Sequence, residues 1–362
     1  MRNRIHLILV VSLLSGVAMS CRNHQGSATP AAAVPTATSV FEPTDQIGGL
    51  EGVSLTPDGE IYVTDWTNCR IWRVDIAPPQ AIAGGRGLCG PPKDGVAARY
   101  SDLWSPTGLA IGKAGEIYFN SGCAIYEILN DVISTVPGTG TCDGVSPRGN
   151  GFVGMAADRE GALYFAVWAP SCVVNRLSGG VITTIAGTGA CGSTPRSGPA
   201  DQVPLHTVAG IAVDDAGDVF LVDDSTCRVL KLSQGMISTI AGTGVCGFSG
   251  DGGAALSATL KSPKGIAVER SGQRIYVADT DNYRIRVIEG GTIRTIAGTG
   301  KPGVAGSGGD ALRAELRAPF GLAVNDQNEV FIAEFSSCRL LKIAGGLLTT
   351  VASATRCVER DE

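Results

Sequence analysis

One short pattern recurs six times along the chain: Gly52-Val-Ser-Leu, Gly108-Leu-Ala-Ile, Gly154-Met-Ala-Ala, Gly210-Ile-Ala-Val, Gly265-Ile-Ala-Val and Gly321-Leu-Ala-Val. Successive glycines lie 56, 46, 56, 55 and 56 residues apart. A unit of this size, built from strands, cannot cover both of its own faces, so each must be covered by its neighbours. Length alone would allow 362 residues two or three domains. The repeat removes that freedom and predicts one domain over residues 47–362.

The fourth unit shows the plan. Gly210 to Val213, a turn at Asp215-Ala216-Gly217, Val219 to Val222, a loop, Arg228 to Leu232, a turn at Gln234-Gly235 and Met236 to Ala241 read as four antiparallel strands. Fifty glycines and only 17% charged residues suit short strands and tight turns. The turn glycine after the first strand recurs at Gly59, Gly115, Gly161, Gly217 and Gly272, with Asn328 in the sixth unit, where a left-handed conformation is cheapest. The expected fold is all-β: a six-bladed β-propeller of four-stranded antiparallel blades. The alternative closure, in which Val34 to Thr44 completes the last blade, is disfavoured because the sixth unit supplies its own fourth strand at Leu347 to Val351.

Four stretches carry a family likeness: Ile240-Ala-Gly-Thr-Gly244, Gly250-Asp-Gly-Gly253, Ser262-Pro263-Lys-Gly265-Ile-Ala-Val, and Tyr276-Val-Ala-Asp279-Thr-Asp-Asn282-Tyr-Arg284-Ile. They resemble the NHL repeats of bacterial exported proteins, and the likeness extends over all six units, most closely in the fourth and fifth. It implies the same six-bladed propeller.

The N-terminus reads as an export signal. Met1-Arg-Asn-Arg precedes the apolar run Ile5 to Met19, and Ser20-Cys21 follows. Residues 1–20 are the expected signal peptide, and 21–46 a tether rich in Ala, Ser, Thr and Pro. Ala18-Met19-Ser20-Cys21 resembles a lipobox, which implies lipid attachment at Cys21 and a chain anchored to a bacterial envelope membrane, facing periplasm or cell surface. The formal charge of −5, or −7 once Arg2 and Arg4 leave with the signal, argues against nucleic acid as a partner.

Apart from Cys21, ten cysteines keep the period of the repeat. Cys69/Cys89, Cys123/Cys142, Cys172/Cys191, Cys227/Cys246 and Cys338/Cys357 are separated by 20, 19, 19, 19 and 19 residues. In each, the first opens the third strand and the second follows the fourth, so both reach the same end of one blade. The fifth unit has Tyr283 and Pro302 at these places and loses both partners together. Five intrablade disulfides are expected, in an oxidising compartment.

Candidate chemistry is sparse. Asp65, Asp223, Asp279 and Glu334 end the second strand of four units, and Arg70, Arg228, Arg284 and Arg339 stand five positions later. A ring of carboxylates could hold calcium. However, the second and third units lose acid and arginine together, at Ser121/Ala124 and Val167/Val173. Structural ion pairs are therefore expected, with the arginines holding the acids ionised. Gly250 to Gly253 reads as an interblade turn. The three histidines are His6, His24 and His206, so the propeller of one chain has no three-histidine zinc site, and no serine sits in a nucleophile elbow. No catalytic residue, cofactor or metal is assigned. Trp66 and Trp168, in equivalent loops, are possible partner contacts, and Trp168 is more simply a cap between blades. The expected function is a binding or scaffold module for a protein, peptide or glycan. The alternative is a metal-dependent propeller enzyme, a lyase or lactonase-type hydrolase, which would need those acids freed from their arginines.

Overall fold

A computed structural model describes residues 46–85, 87–140, 154–168, 170–192, 197–354 and 357. Cys21, the signal and tether, and Cys142 lie outside them. Within the unit Gln46–Glu362, six antiparallel sheets follow one another along the chain, each built on four strands paired in sequence order. Blade 4 is representative: strands Val208–Val213, Val219–Asp223, Arg228–Ser233 and Met236–Ala241. The inner strands of the other blades are Leu50–Leu55, Leu109–Ile111, Met155–Ala157, Pro263–Val268 and Pro319–Val324. The second strand of blade 4 is buried at every residue because blades cover both its faces. The fourth strand alternates more exposed and buried positions, as expected of a strand with one face toward water.

The hydrophobic core is distributed between blades. Tyr164 and Val174 of blade 3 pack with Ile211, Leu221 and Leu230 of blade 4, and comparable clusters join every other neighbouring pair among the described residues, including blade 6 with blade 1 through Phe331, Leu340, Val53 and Trp72. No blade has a core of its own, which is the physical content of the repeat.

The repeated glycine is explained at the axis. A Cβ on Gly52 would meet the Thr107 carbonyl oxygen, one on Gly265 the Phe320 oxygen, and one on Gly321 the Glu51 oxygen, so each inner strand presses its backbone onto that of the next blade. The last of these contacts closes the ring. Each such glycine sits where the pairing with the second strand shifts register, between Leu50 and Val53, Pro263 and Ile266, and Pro319 and Leu322.

Two features go beyond the sequence reading. Blades 4, 5 and 6 carry a fifth strand, Ser197–Pro199, Gly253–Ala254 or Gly309–Asp310, which the connection from the preceding blade lays along the outer edge. This covers backbone groups that an edge would otherwise expose. Asp251 of the Gly250–Gly253 turn accepts from the Thr295 backbone and hydroxyl, and Asp94 does the same for Thr135. Second, four of the leading cysteines occupy a left-handed position one residue before the third strand, with φ of 54° at Cys69, 44° at Cys172, 52° at Cys227 and 50° at Cys338. Tyr283, their counterpart in blade 5, has φ 50°.

Four disulfides lie within the described residues: Cys69–Cys89, Cys172–Cys191, Cys227–Cys246 and Cys338–Cys357, with Cα separations of 5.4, 5.1, 5.4 and 5.4 Å. Each ties a second-to-third-strand loop to the connection leaving the same blade. Blade 5 uses charge instead. Arg286 bridges Asp279 and Asp251 at 3.2 Å each, and Phe248 of the incoming connection packs 3.9 Å from the Arg284 guanidinium and 5.0 Å from that of Arg286.

Two tests follow from this architecture. Gly265→Ala should cost about 3 kcal/mol or more in denaturant unfolding, because the clash is with backbone, whereas Gly253→Ala, whose Cβ meets only ordinary contact distance, should change stability by less than about 1 kcal/mol. Replacing both Cys227 and Cys246 with serine should cost about 3 kcal/mol, the loop-closure entropy of a loop near 20 residues. Equal effects of the two glycine variants, or an unchanged unfolding midpoint for the serine pair, would contradict this account.

Candidate functional site

The four acids that end the second strands are fully buried. Three of them bind the segment entering their own blade: Asp65 accepts from Gly48 N, Asp279 from Lys261 N and Glu334 from Arg317 N, each at 2.7 Å. Asp223 accepts from Thr226 N in the loop that follows it, and Asn68, Asn282 and Ser337 donate from the equivalent loops. Ser121 fills the place in blade 2, its hydroxyl accepting from Trp104 N at 2.6 Å. In blades 1, 2, 5 and 6 these side chains fasten the segment entering the blade, and their lone pairs are occupied by that task.

The arginines divide. Glu334 and Arg339 form a buried pair, with contacts of 2.6 and 2.8 Å. In blade 5 the expected pair is corrected: Asp279 takes Arg286, while Arg284, drawn out over Phe248, donates to the Thr299 carbonyl. Arg70 and Arg228 reach the corresponding connections through the carbonyls of Gly84 and Thr243, and a Cβ on Gly87, Gly244 or Gly300 would strike these guanidinium groups. The last glycine of the Ala-Gly-Thr-Gly motif therefore makes room for an arginine. Asp65 instead accepts from Trp72 Nε1 at 3.0 Å. Desolvation by burial outweighs the donors around Asp279 and Glu334 and pushes both carboxyls above their ordinary range. Arg286 and Arg339 oppose that shift.

Residues that follow the second strands gather at the mouth of the axial channel. Each reaches onto the following blade: Trp168 donates from Nε1 to Val208 O, Asp224 takes the Lys264 ammonium and the Ser262 hydroxyl, Thr280 donates to Pro319 O, and Phe335 lies against Trp66. The Trp66–Phe335 centroid distance is 5.7 Å, and Phe335–Phe320 is 5.4 Å. All three rings are half-buried. Trp168 thus bridges blades 3 and 4, whereas Trp66 belongs to an aromatic row that runs to the axis. His206 is exposed and hydrogen-bonded to Thr207.

The channel itself holds about 80 Å³, below the several hundred Å³ of a site that encloses an organic ligand. Residues preceding the repeat glycines face it: Glu51, Thr107, Ala209, Lys264 and Phe320. Glu51 takes no hydrogen bond from any described residue. Desolvation pushes its carboxyl up from 4.5 to about 8, the charge of Lys264 opposing only in part. Nothing in the sequence singled out Glu51, Lys264, Phe320, Phe335 or Arg286. The acids and Trp66 were accessible because they recur at equivalent positions. Among the described residues, no three His, Cys, Asp or Glu side chains group as metal ligands, and no helix is long and apolar enough to cross a membrane.

The geometry defines a six-bladed β-propeller whose blade ends and axial mouth are built by a repeated loop code. Residues 49–74 match the NHL repeat and residues 243–304 the Teneurin NHL domain, so the six-bladed propeller carries NHL-repeat sequence in these stretches. Teneurin-1 of Mus musculus is 29% identical over 291 residues, 65% of this chain, and the chain spans 10% of that relative's length. An auxiliary nutrient binding protein from Bacteroides thetaiotaomicron superposes with a TM-score of 0.58 at 16% identity, covering 83% of this chain and 69% of that one. A streptogramin B lyase superposes with a TM-score of 0.52 at 13% identity, covering 87% of each chain. At these identities the structural likeness is one of fold.

The raised Glu51 value has a measurable sign. A carboxyl whose folded value exceeds its unfolded one contributes stability that is complete below about pH 4.5 and is lost as pH rises through about 8. Asp279 and Glu334 act in the same sense, so the comparison variant isolates the group. Glu51→Gln should lose less melting temperature than the parent between pH 5 and pH 9, followed by circular dichroism. Parallel losses would place Glu51 in the ordinary carboxylate range.

Proposed function

We propose that the protein is an extracytoplasmic binding module, lipid-anchored through Cys21, that presents the mouth of its axial channel to a protein, peptide or glycan partner. The observation that carries this reading is the row Trp66–Phe335–Phe320, half-exposed at the mouth beside the Asp224–Lys264 pair. Rigid aromatic faces next to fixed charge are the usual anchors of a recognition surface. Four disulfides suit an oxidising compartment, and the lipobox-like Ala18–Cys21 supplies the anchor. The buried acids favour binding over hydrolysis or elimination, since loop amides and hydroxyls occupy them. The fold shared with a nutrient binding protein supports the same reading.

The test is retention of the full chain, solubilised in detergent, on glycan and peptide arrays. The parent protein should be retained by one class of ligand, and a Trp66→Ala, Phe335→Ala double variant with the parent's disulfides intact should lose at least about tenfold in affinity. Absence of retention on both arrays, or retention that the double variant preserves, would overturn the proposal.

A further inference from the structure

We propose that the well at the axial mouth takes a small organic ammonium ion, its charge on the Glu51 carboxylate and its apolar stem along Phe320 and the Phe335–Trp66 row. The inference rests on the binding reading above and names the chemistry of its ligand. Around the ring, Lys264, Phe320 and Glu51 come from the inner strands of blades 5, 6 and 1, which press against one another: a Cβ on Gly265 would meet the Phe320 oxygen, and one on Gly321 the Glu51 oxygen. The three side chains therefore stand side by side on one wall of the channel.

Their charges are not equally satisfied. The Lys264 ammonium is held by Asp224, whose other oxygen accepts from Ser262. Glu51 has no such partner among the described residues. A half-buried carboxylate that takes no hydrogen bond from a described residue is partly desolvated, and a cation brought to within contact distance offsets that cost. The neighbouring Phe320, tilted against Phe335, which in turn meets Trp66 edge-on, offers a ring face that attracts a cation and buries an apolar stem.

The same wall argues against the two obvious competitors. A calcium ion requires six or more oxygen ligands, yet the described residues at the positions beside the repeat glycines are one glutamate, a threonine, an alanine, a lysine and a phenylalanine. An anion could use Lys264 only by displacing Asp224. A channel of about 80 Å³ accepts an ammonium head, leaving the stem at the aromatic mouth.

Protonation supplies a specific signature. Desolvation pushes the Glu51 carboxyl up to about 8, and the groups that face it electrostatically are Lys264 and, beyond it, Asp224. An ammonium ligand needs the carboxylate, so binding expels a proton, and affinity rises with pH toward about 8.

The probe is phenethylamine, titrated into the full chain by calorimetry at pH 7 in two buffers of different ionisation enthalpy. The neutral 2-phenylethanol, the anionic 3-phenylpropionate and calcium chloride serve as comparisons. The expected result is binding at least about tenfold tighter than 2-phenylethanol, with release of up to one proton per ligand. Glu51→Gln should remove both the preference and the proton release. Phe320→Leu, which keeps the carboxyl, should weaken binding while proton release persists, and melting curves should show both variants folded. Equal affinity for the alcohol, absence of proton release, tighter binding of phenylpropionate, or a calcium-dependent melting shift that requires Glu51 would each overturn the inference. If phenethylamine fails while array retention still depends on Trp66 and Phe335, the ammonium assignment falls and the binding reading stands. If that retention survives the loss of Trp66 and Phe335, the binding reading itself falls.

Discussion

Backbone pressed against backbone around the axis is the contact on which the rest of the molecule depends. Gly52, Gly210, Gly265 and Gly321 leave no room for a Cβ, because each meets a carbonyl oxygen of the next inner strand. That approach brings the faces of neighbouring blades together, and only then do clusters such as Ile211, Leu221 and Leu230 against Tyr164 and Val174 close over. Glycine is required here for space, whereas at Gly59 or Gly217, with φ of 90° and 81°, it is required for conformation.

Loops at one end of the disc are then held by three independent devices: the buried acids, the disulfides and the arginines that grip the connections. Blade 5, without a disulfide among the described residues, has Arg286 between the buried Asp279 and the exposed Asp251, which joins the blade to the connection that enters it. Because the loops are fixed from behind, their free side chains face the axis in set positions. The symmetry of the frame is high and that of the mouth is low. Glu51, Lys264 and Phe320 occupy equivalent positions and share no chemistry, which is the pattern of a recognition surface grafted on a scaffold.

The frame was legible in the chain because it repeats. The glycine period, the paired loss of Cys and partner at Tyr283 and Pro302, and the acids at Asp65, Asp223, Asp279 and Glu334 are visible by comparing the chain with itself. What was hidden does not repeat. Arg286 stands where blade 1 has Trp72, and only the burial of both beside an acid shows that they serve one role. Glu51 is 213 residues from Lys264 and 269 from Phe320, and ring closure alone makes them neighbours. The left-handed position of Cys69, Cys172, Cys227 and Cys338 was also silent, since cysteine is not a residue that announces positive φ. The fifth strands at Gly253–Ala254 and Gly309–Asp310 are too short to carry a pattern.

The account stands or falls on where a ligand touches the disc. Hydrogen exchange of the full chain, measured by mass spectrometry with and without a ligand retained on the arrays, reads this directly. Protection should appear at residues 46–51, 64–68, 319–321 and 335–337, which carry Glu51, Trp66, Phe320 and Phe335, with the outer rim at 253–257 and 290–292 unchanged. Protection confined to the rim, with the mouth exchanging as in the free protein, would contradict the claim that the axial mouth is the site.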